Sequence, residues 1–291
     1  LERAGELAGL IAEHSGLVVR THVPATYEEV IEDLGAEKAD VAWLPPFNYI
    51  VASSRFQVQA RLQVVRSSSL SAVVIGRRDD GDYTSIADLE GEKVAVTIGA
   101  NTSLKLANEA MLRAGGLDPD ADVEAVSVSG LPEGYNLVTE GRIAAATTAL
   151  GIPLARQAHA SIPGGLQMLA ITGDNATTEF VAGEMEGLYL TETAPSENNP
   201  GVDAPMSVLG FDIFLVGSSA LSDDDAYQIT KTLHEGWVAL QEDYGVLRRT
   251  PVEMISAPTN TTPYHPGAIR YFKEVDLWSA DNDAREATLN K

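Results

Sequence analysis

The chain has no cysteine, which excludes disulfides, thiol nucleophiles and cysteine-ligated zinc. It is also poor in positive charge. Lys and Arg number 20 against 42 Asp and Glu, a net charge of −22, and only 6 of the 20 are Lys. Such a surface repels nucleic acid and anionic lipid, yet a small anion can still bind where local dipoles decide. The acid-rich, lysine-poor balance suits a protein facing high salt. No apolar run reaches the ~18 residues that span a bilayer. Catalytic signatures are missing too: no phosphate-binding loop, no G-x-S-x-G, no H-E-x-x-H and no G-x-G-x-x-G. The five histidines, His14, His22, His159, His234 and His265, are scattered, with no pair at metal-ligand spacing. No enzyme activity, no cofactor and no metal are expected.

What is present centres on residues 89–116, LEGEKVAVTIGANTSLKLANEAMLRAGG. The β-branched run 94–98 reads as a buried strand. Gly99 ends it, and Asn101, Thr102 and Ser103, all good helix caps, follow. Leu104, Leu106, Ala107, Ala110, Met111 and Ala114 then form a helical apolar stripe that Gly115 and Gly116 stop. A strand, a small polar turn and a helix start leave backbone N–H groups facing outward, reinforced by the helix dipole. That arrangement suits a carboxylate or phosphate group. An ordinary capped helix in an α/β sheet has the same pattern.

The rest of the chain, 44% hydrophobic, is long enough for one large or two medium domains. Helices are expected over 1–14, 27–34 (Thr26 and Glu29 forming a capping box), 131–139, 154–160, 222–241 and from Tyr264 to Lys273. One or two helical turns are expected over 47–53. Strands are expected over 17–23, 40–44, 58–65, 72–76, 123–128, 143–148, 166–171 and 208–216. This alternation predicts an α/β fold with parallel or mixed sheets. Residues 187–205, with Pro195, Pro200 and Pro205 nearby, read as a long loop or return linker, and the polar stretch after Trp278 as a frayed tail. The charged stretch 77–83 and the Pro-rich one mark two crossings. They divide the chain into a discontinuous lobe, 1–80 plus 206–291, and a continuous lobe, 81–205, with a hinged cleft between. Ligands in open α/β sheets sit beyond the carboxyl ends of strands, where Asn101–Ser103 and Thr147–Thr148 fall.

From about Ser71 to Trp278 the chain resembles the TAXI family, the extracytoplasmic solute-binding subunits of TRAP transporters. The resemblance rests on SIADLEGEKVAV, EGRIAAATTALGIPLA, DDDAYQITKTL and PYHPGAIRYFKE. The first third, VPATYEEVIEDLGAEKADVAWLPPFNYIVA, is more similar to phosphonate- and phosphite-type binding proteins of ABC transporters. Pro45 stands where that pattern has Gly, and Ser69-Leu70-Ser71 where an aromatic is frequent. Both groups have the two-lobed periplasmic-binding fold of type 2. Where TAXI proteins carry Gly-Ser-Gly-Thr, this chain has Ala100-Asn101-Thr102-Ser103, and it has Ala144 where they often have Asp.

The resemblance implies a periplasmic or extracytoplasmic monomer that takes up a small organic anion, such as glutamate or 2-oxoglutarate, and delivers it to TRAP permease subunits. The alternative is an ABC-type binding protein for phosphonate-, phosphite- or phosphate-like oxyanions. A second alternative is an enzyme on the same fold. The chain opens inside an apparent helix, so an N-terminal piece, with its signal or lipoprotein peptide, is expected ahead of Leu1. The ligand site is expected to comprise Asn101, Thr102 and Ser103, with Thr147, Thr148, Ser71, Phe47, Asn48 and Tyr49 shaping the remainder. Tyr49 reads equally as a packed aromatic, and Thr147 and Thr148 equally as satisfied strand-end residues. Trp43 reads as core and His265 as structural. Asp212 reads as a cap or ion-pair partner, with pairing to a ligand amine as the alternative. Asp223-Asp224-Asp225 reads as a helix start instead of a calcium cluster.

Overall fold

The computed structural model describes residues 2–56, 58, 60–65, 71–78, 83–99, 102–243, 247, 250–258 and 260–289. In chain order the elements are α1 (Glu2–Ser15), α2 (Tyr27–Gly35), β1 (Val41–Leu44), α3 (Pro46–Phe56), β2 (Ala60–Val65), β3 (Ser71–Arg77), β4 (Lys93–Ile98), α4 (Thr102–Ala114), β5 (Glu124–Val128), α5 (Leu131–Thr139), β6 (Ala145–Ala149), α6 (Pro153–Ser161), β7 (Leu166–Leu169), α7 (Thr178–Glu184), β8 (Leu188–Thr193), β9 (Met206–Phe211), β10 (Ile213–Gly217), α8 (Asp223–Glu235), α9 (Trp237–Asp243), α10 (Pro266–Glu274) and α11 (Ala280–Leu289). Among the described residues no helix is long and apolar enough to cross a membrane.

The chain divides into two compact units, Leu1–Ser67 with Asp212–Lys291, and Ser68–Phe211. The passages fall at 67/68 and 211/212, not at 80/81 and 205/206. Strands β3 and β9, assigned by sequence to the discontinuous lobe, belong to the sheet of the second unit. The apolar run 208–216 is two strands in two different sheets, parted at buried Asp212. A continuous hydrophobic run cannot reveal such a split.

Unit 1 has a three-stranded sheet, β1-β10-β2, antiparallel throughout. Thr26 caps α2: the Glu29 N–H donates to its hydroxyl at 3.2 Å, while the Glu29 carboxylate accepts from Ala25 N–H at 2.8 Å. Residues 17–23 do not form the expected strand. The expected helix 222–241 is broken by Gly236 into α8 and α9; Leu10 of α1 comes so close there that an added Cβ would lie 3.3 Å from it. Asp223–Asp225 occupy the first turn of α8 behind its Ser222 cap. The polar end of the chain is helix α11 and not a frayed tail. Its Glu286 is buried, and one carboxylate oxygen accepts from the Asn260 amide at 3.1 Å and the Tyr264 N–H at 3.0 Å. Polarity misleads here because these groups are buried already paired.

Unit 2 has a seven-stranded mixed sheet in the order β5-β4-β6-β3-β9-β8, with β7 also pairing with β3. Only β4 with β5 and β4 with β6 are parallel. β3 pairs with β6 on one edge and with β7 and β9 on the other. Its Val74 enters one apolar core and Val73 and Ile75 the other. The stretch read as a loop, 187–205, contains β8, paired with β9 from Leu188↔Phe211 to Thr193↔Met206. Its prolines all lie beyond Thr193, so they dominate the composition without interrupting the strand.

His265 caps α10. Its Nδ1 accepts from Gly267 N–H at 3.2 Å, and its Nε2 faces the Leu221 carbonyl at 3.3 Å, which fixes the neutral Nε2–H form. Burial lowers its pKa from the ordinary 6.5. A lowered folded-state value means that its stabilising contribution is complete above about 6.5 and lost as pH falls through the lowered value. His265→Asn keeps a cap but cannot titrate. Denaturant titrations between about pH 7 and pH 5 will show a shallower loss of stability in that variant than in the parent.

Candidate functional site

The carboxyl ends of β4, β5 and β6 gather the polar groups of unit 2. Between Ala95 and Thr97 the β4–β5 pairing shifts register, so Val96 is an extra residue. The alternation therefore changes phase, and Ile98 joins the core of Ala95 instead of that of Val94 and Val96. Gly99 follows with φ +53°, its N–H donating to the Val128 carbonyl at 2.6 Å. A Cβ at Gly99 would stand 2.8 Å from the Ser129 carbonyl oxygen. Only glycine meets both conditions. α4 then starts at Thr102, which is exposed, with Ser103 half-buried behind it. Asn101 lies outside the described residues.

The next helix start is different. Ser129 follows β5, and both its N–H and its hydroxyl donate to one oxygen of Glu133 at 2.6 Å. The hydroxyl bond, then the N–H bond, hold the Glu133 carboxyl below the usual carboxylate range. The first turn of α5 thus carries an anion from its own chain, whereas the first turn of α4 contains no acid. Of these two positive helix ends, that of α4 is the one with no acid in its own first turn.

Thr147 and Thr148 are both buried on β6. Thr148 shares a 2.5 Å hydrogen bond with the Tyr135 hydroxyl, which burial pushes up to about 12 and which that bond partly offsets. Thr147 points to the opposite face of the strand. Ser71 is on β3, opposite Gly210 of β9. Unit 2 therefore holds Ser71, Thr102, Ser103, Thr147 and Thr148. Phe47, Asn48 and Tyr49 are in unit 1, in the first turns of α3. Tyr49 is buried with its ring edge-on to Phe214 at 6.3 Å. Trp43 lies on β1 opposite Leu215.

Sequence reasoning missed Tyr135 and Glu133. The spacing of Ser129 and Glu133 across the start of α5 was the available sign for the second. Nothing local could pair Tyr135 with Thr148, because the partnership exists only once β6 and α5 pack. Among the described residues no cluster of His, Asp or Glu could hold a metal ion.

A family model, ABC transporter, phosphonate, periplasmic substrate-binding protein, matches residues 1–185. The chain belongs to that family. Membership makes it a substrate-binding protein of the ABC-transporter type. The match favours the resemblance seen in the first third over the TAXI one, for which no support appears. No curated protein matches the chain in sequence. The fold resembles that of PhnD1 from Prochlorococcus marinus (MIT 9301), solved with methylphosphonate: 11% identity, TM-score 0.56, covering 95% of this chain and 93% of that one. It also resembles XAC2383 from Xanthomonas citri, solved with ATP: 12% identity, TM-score 0.52, covering 98% and 94%. Both are similar in fold alone. Substrate-binding proteins of this family work with a membrane permease outside the cytoplasm, and they are not enzymes.

Gly99→Ala tests the turn. It forces a left-handed backbone and a backbone clash, so a stability loss of about 1–3 kcal/mol is expected in denaturant titration. Gly116→Ala, where φ is +90° and nothing stands within 4 Å of the added carbon, isolates the strain term and should cost less.

Proposed function

We propose that the chain captures a small phosphorus oxyanion, with a phosphonate-, phosphite- or phosphate-like head group, at the first turn of α4, and delivers it to an ABC permease. The observation that carries this reading is that α4 begins at a strand's carboxyl end, after an obligatory glycine, with no acid in its first turn. A helix start of this kind offers N–H donors and a positive dipole to a tetrahedral anion. The hydroxyls of Thr102 and Ser103 would add charge-assisted hydrogen bonds. Thr147 and Ser71 would flank the bound group. The family match and the methylphosphonate bound to PhnD1 point to the same class of ligand.

Calorimetry with methylphosphonate, phosphite, inorganic phosphate, glutamate and 2-oxoglutarate tests the reading. At least one phosphorus anion should bind, and the Thr102→Ala, Ser103→Ala double variant should bind it more weakly by on the order of 1–3 kcal/mol. Binding of glutamate or 2-oxoglutarate with none of the phosphorus anions would restore the TRAP dicarboxylate reading. Unchanged affinity in the double variant would remove the α4 turn from the site.

A further inference from the structure

Asn108 is not the residue that stability alone would place in α4. It lies four residues after Leu104 and three before Met111, on the apolar stripe of the helix. It is 2% exposed, and its helix neighbours Ala107, Ala110, Met111 and Leu112 all belong to one apolar core of unit 2. Asparagine competes with the helix backbone for hydrogen bonds, and a buried polar group costs stability unless it is paired. Only half of this amide is paired. Nδ2 donates to the Val96 carbonyl at 2.7 Å, while the buried Oδ1 has no partner among the described residues. Turning the amide over would set its oxygen against that carbonyl oxygen, so the orientation is fixed. Leucine at this position would extend the stripe and remove the orphaned oxygen. What leucine cannot supply is the bond to Val96.

Val96 is the extra residue of β4. It has no register partner in β5, and the pairing of β4 with β6 covers only Val94 and Ala95. Neither neighbouring strand therefore sets its position. The Asn108 bond reaches back twelve residues to it and closes a loop that contains the end of β4, Gly99 and the first turn of α4. On the other side the Gly99 N–H is held by the Val128 carbonyl at 2.6 Å. We propose that Asn108 is the positioning residue of the α4 anion site. Its amide acts as a clamp: by holding the Val96 carbonyl it fixes where the strand end and the helix start stand relative to each other, and so where the first N–H groups of α4 point. Such donors grip an anion by direction, and small misplacements forfeit much of the interaction. The proposal rests on the α4 turn being the binding site.

Calorimetry with methylphosphonate, phosphite and inorganic phosphate on Asn108→Leu and Asn108→Ala tests the clamp. Both variants lose the donor, but leucine refills the volume and alanine leaves a cavity. The leucine form should therefore have the higher Tm of the two, while both bind the phosphorus anion taken up by the parent about tenfold or more weakly. Amide exchange without ligand should be faster in both at 97–99 and 102–103. An affinity that follows Tm, lost in the alanine form and kept in the leucine form, makes Asn108 a packing residue and overturns the proposal. So does exchange at those amides that neither variant changes. So does unchanged affinity in both variants while the Thr102→Ala, Ser103→Ala double variant is weakened, which leaves the α4 reading standing. Failure of the parent to bind any of the three anions, or full binding by the double variant, overturns the α4 reading itself and this proposal with it.

Discussion

Strand β3 is the member on which unit 2 depends. It is hydrogen-bonded along both edges, to β6 on one and to β7 and β9 in succession on the other. Its side chains alternate between two separate apolar cores. A strand satisfied on both edges and buried on both faces has no alternative register, since a slip of one residue would exchange its two faces. Because β6 is held by β3 and β4 is held by β6, the position of the α4 turn is fixed through this chain of pairings.

The site owes its electrostatic character to an asymmetry between neighbouring helices. Both α4 and α5 start at carboxyl ends of parallel strands. One carries Glu133 across its own start, held by Ser129, and the other has no such acid. On a chain of net charge −22 this distinction decides where a small anion can approach, since long-range repulsion is screened within about 10 Å in salt whereas contact dipoles are not.

Much of this was legible in the sequence. The β4–Gly99–α4 unit, the capping of α2 and the cap and acidic first turn of α8 follow from residue type and spacing, because each is a local arrangement. Partnership across the chain was not legible. Asp212 divides an apolar run between two sheets, and β8 hides in front of a proline-rich loop. Glu286 finds Asn260 and Tyr264 more than twenty residues away in sequence. Thr148 and Tyr49 each carried two even readings by sequence, and their partners Tyr135 and Phe214 are visible only in the folded chain, because packing has no local signature.

The supernumerary Val96 affects how this protein can be compared with its relatives. From Thr97 onward the strand is out of phase with any counterpart that lacks the additional residue. A column-by-column superposition would then equate side chains that lie on opposite sides of the sheet. Specificity residues transferred from a member without that residue must therefore be offset by one position after that point, or they will name the wrong face.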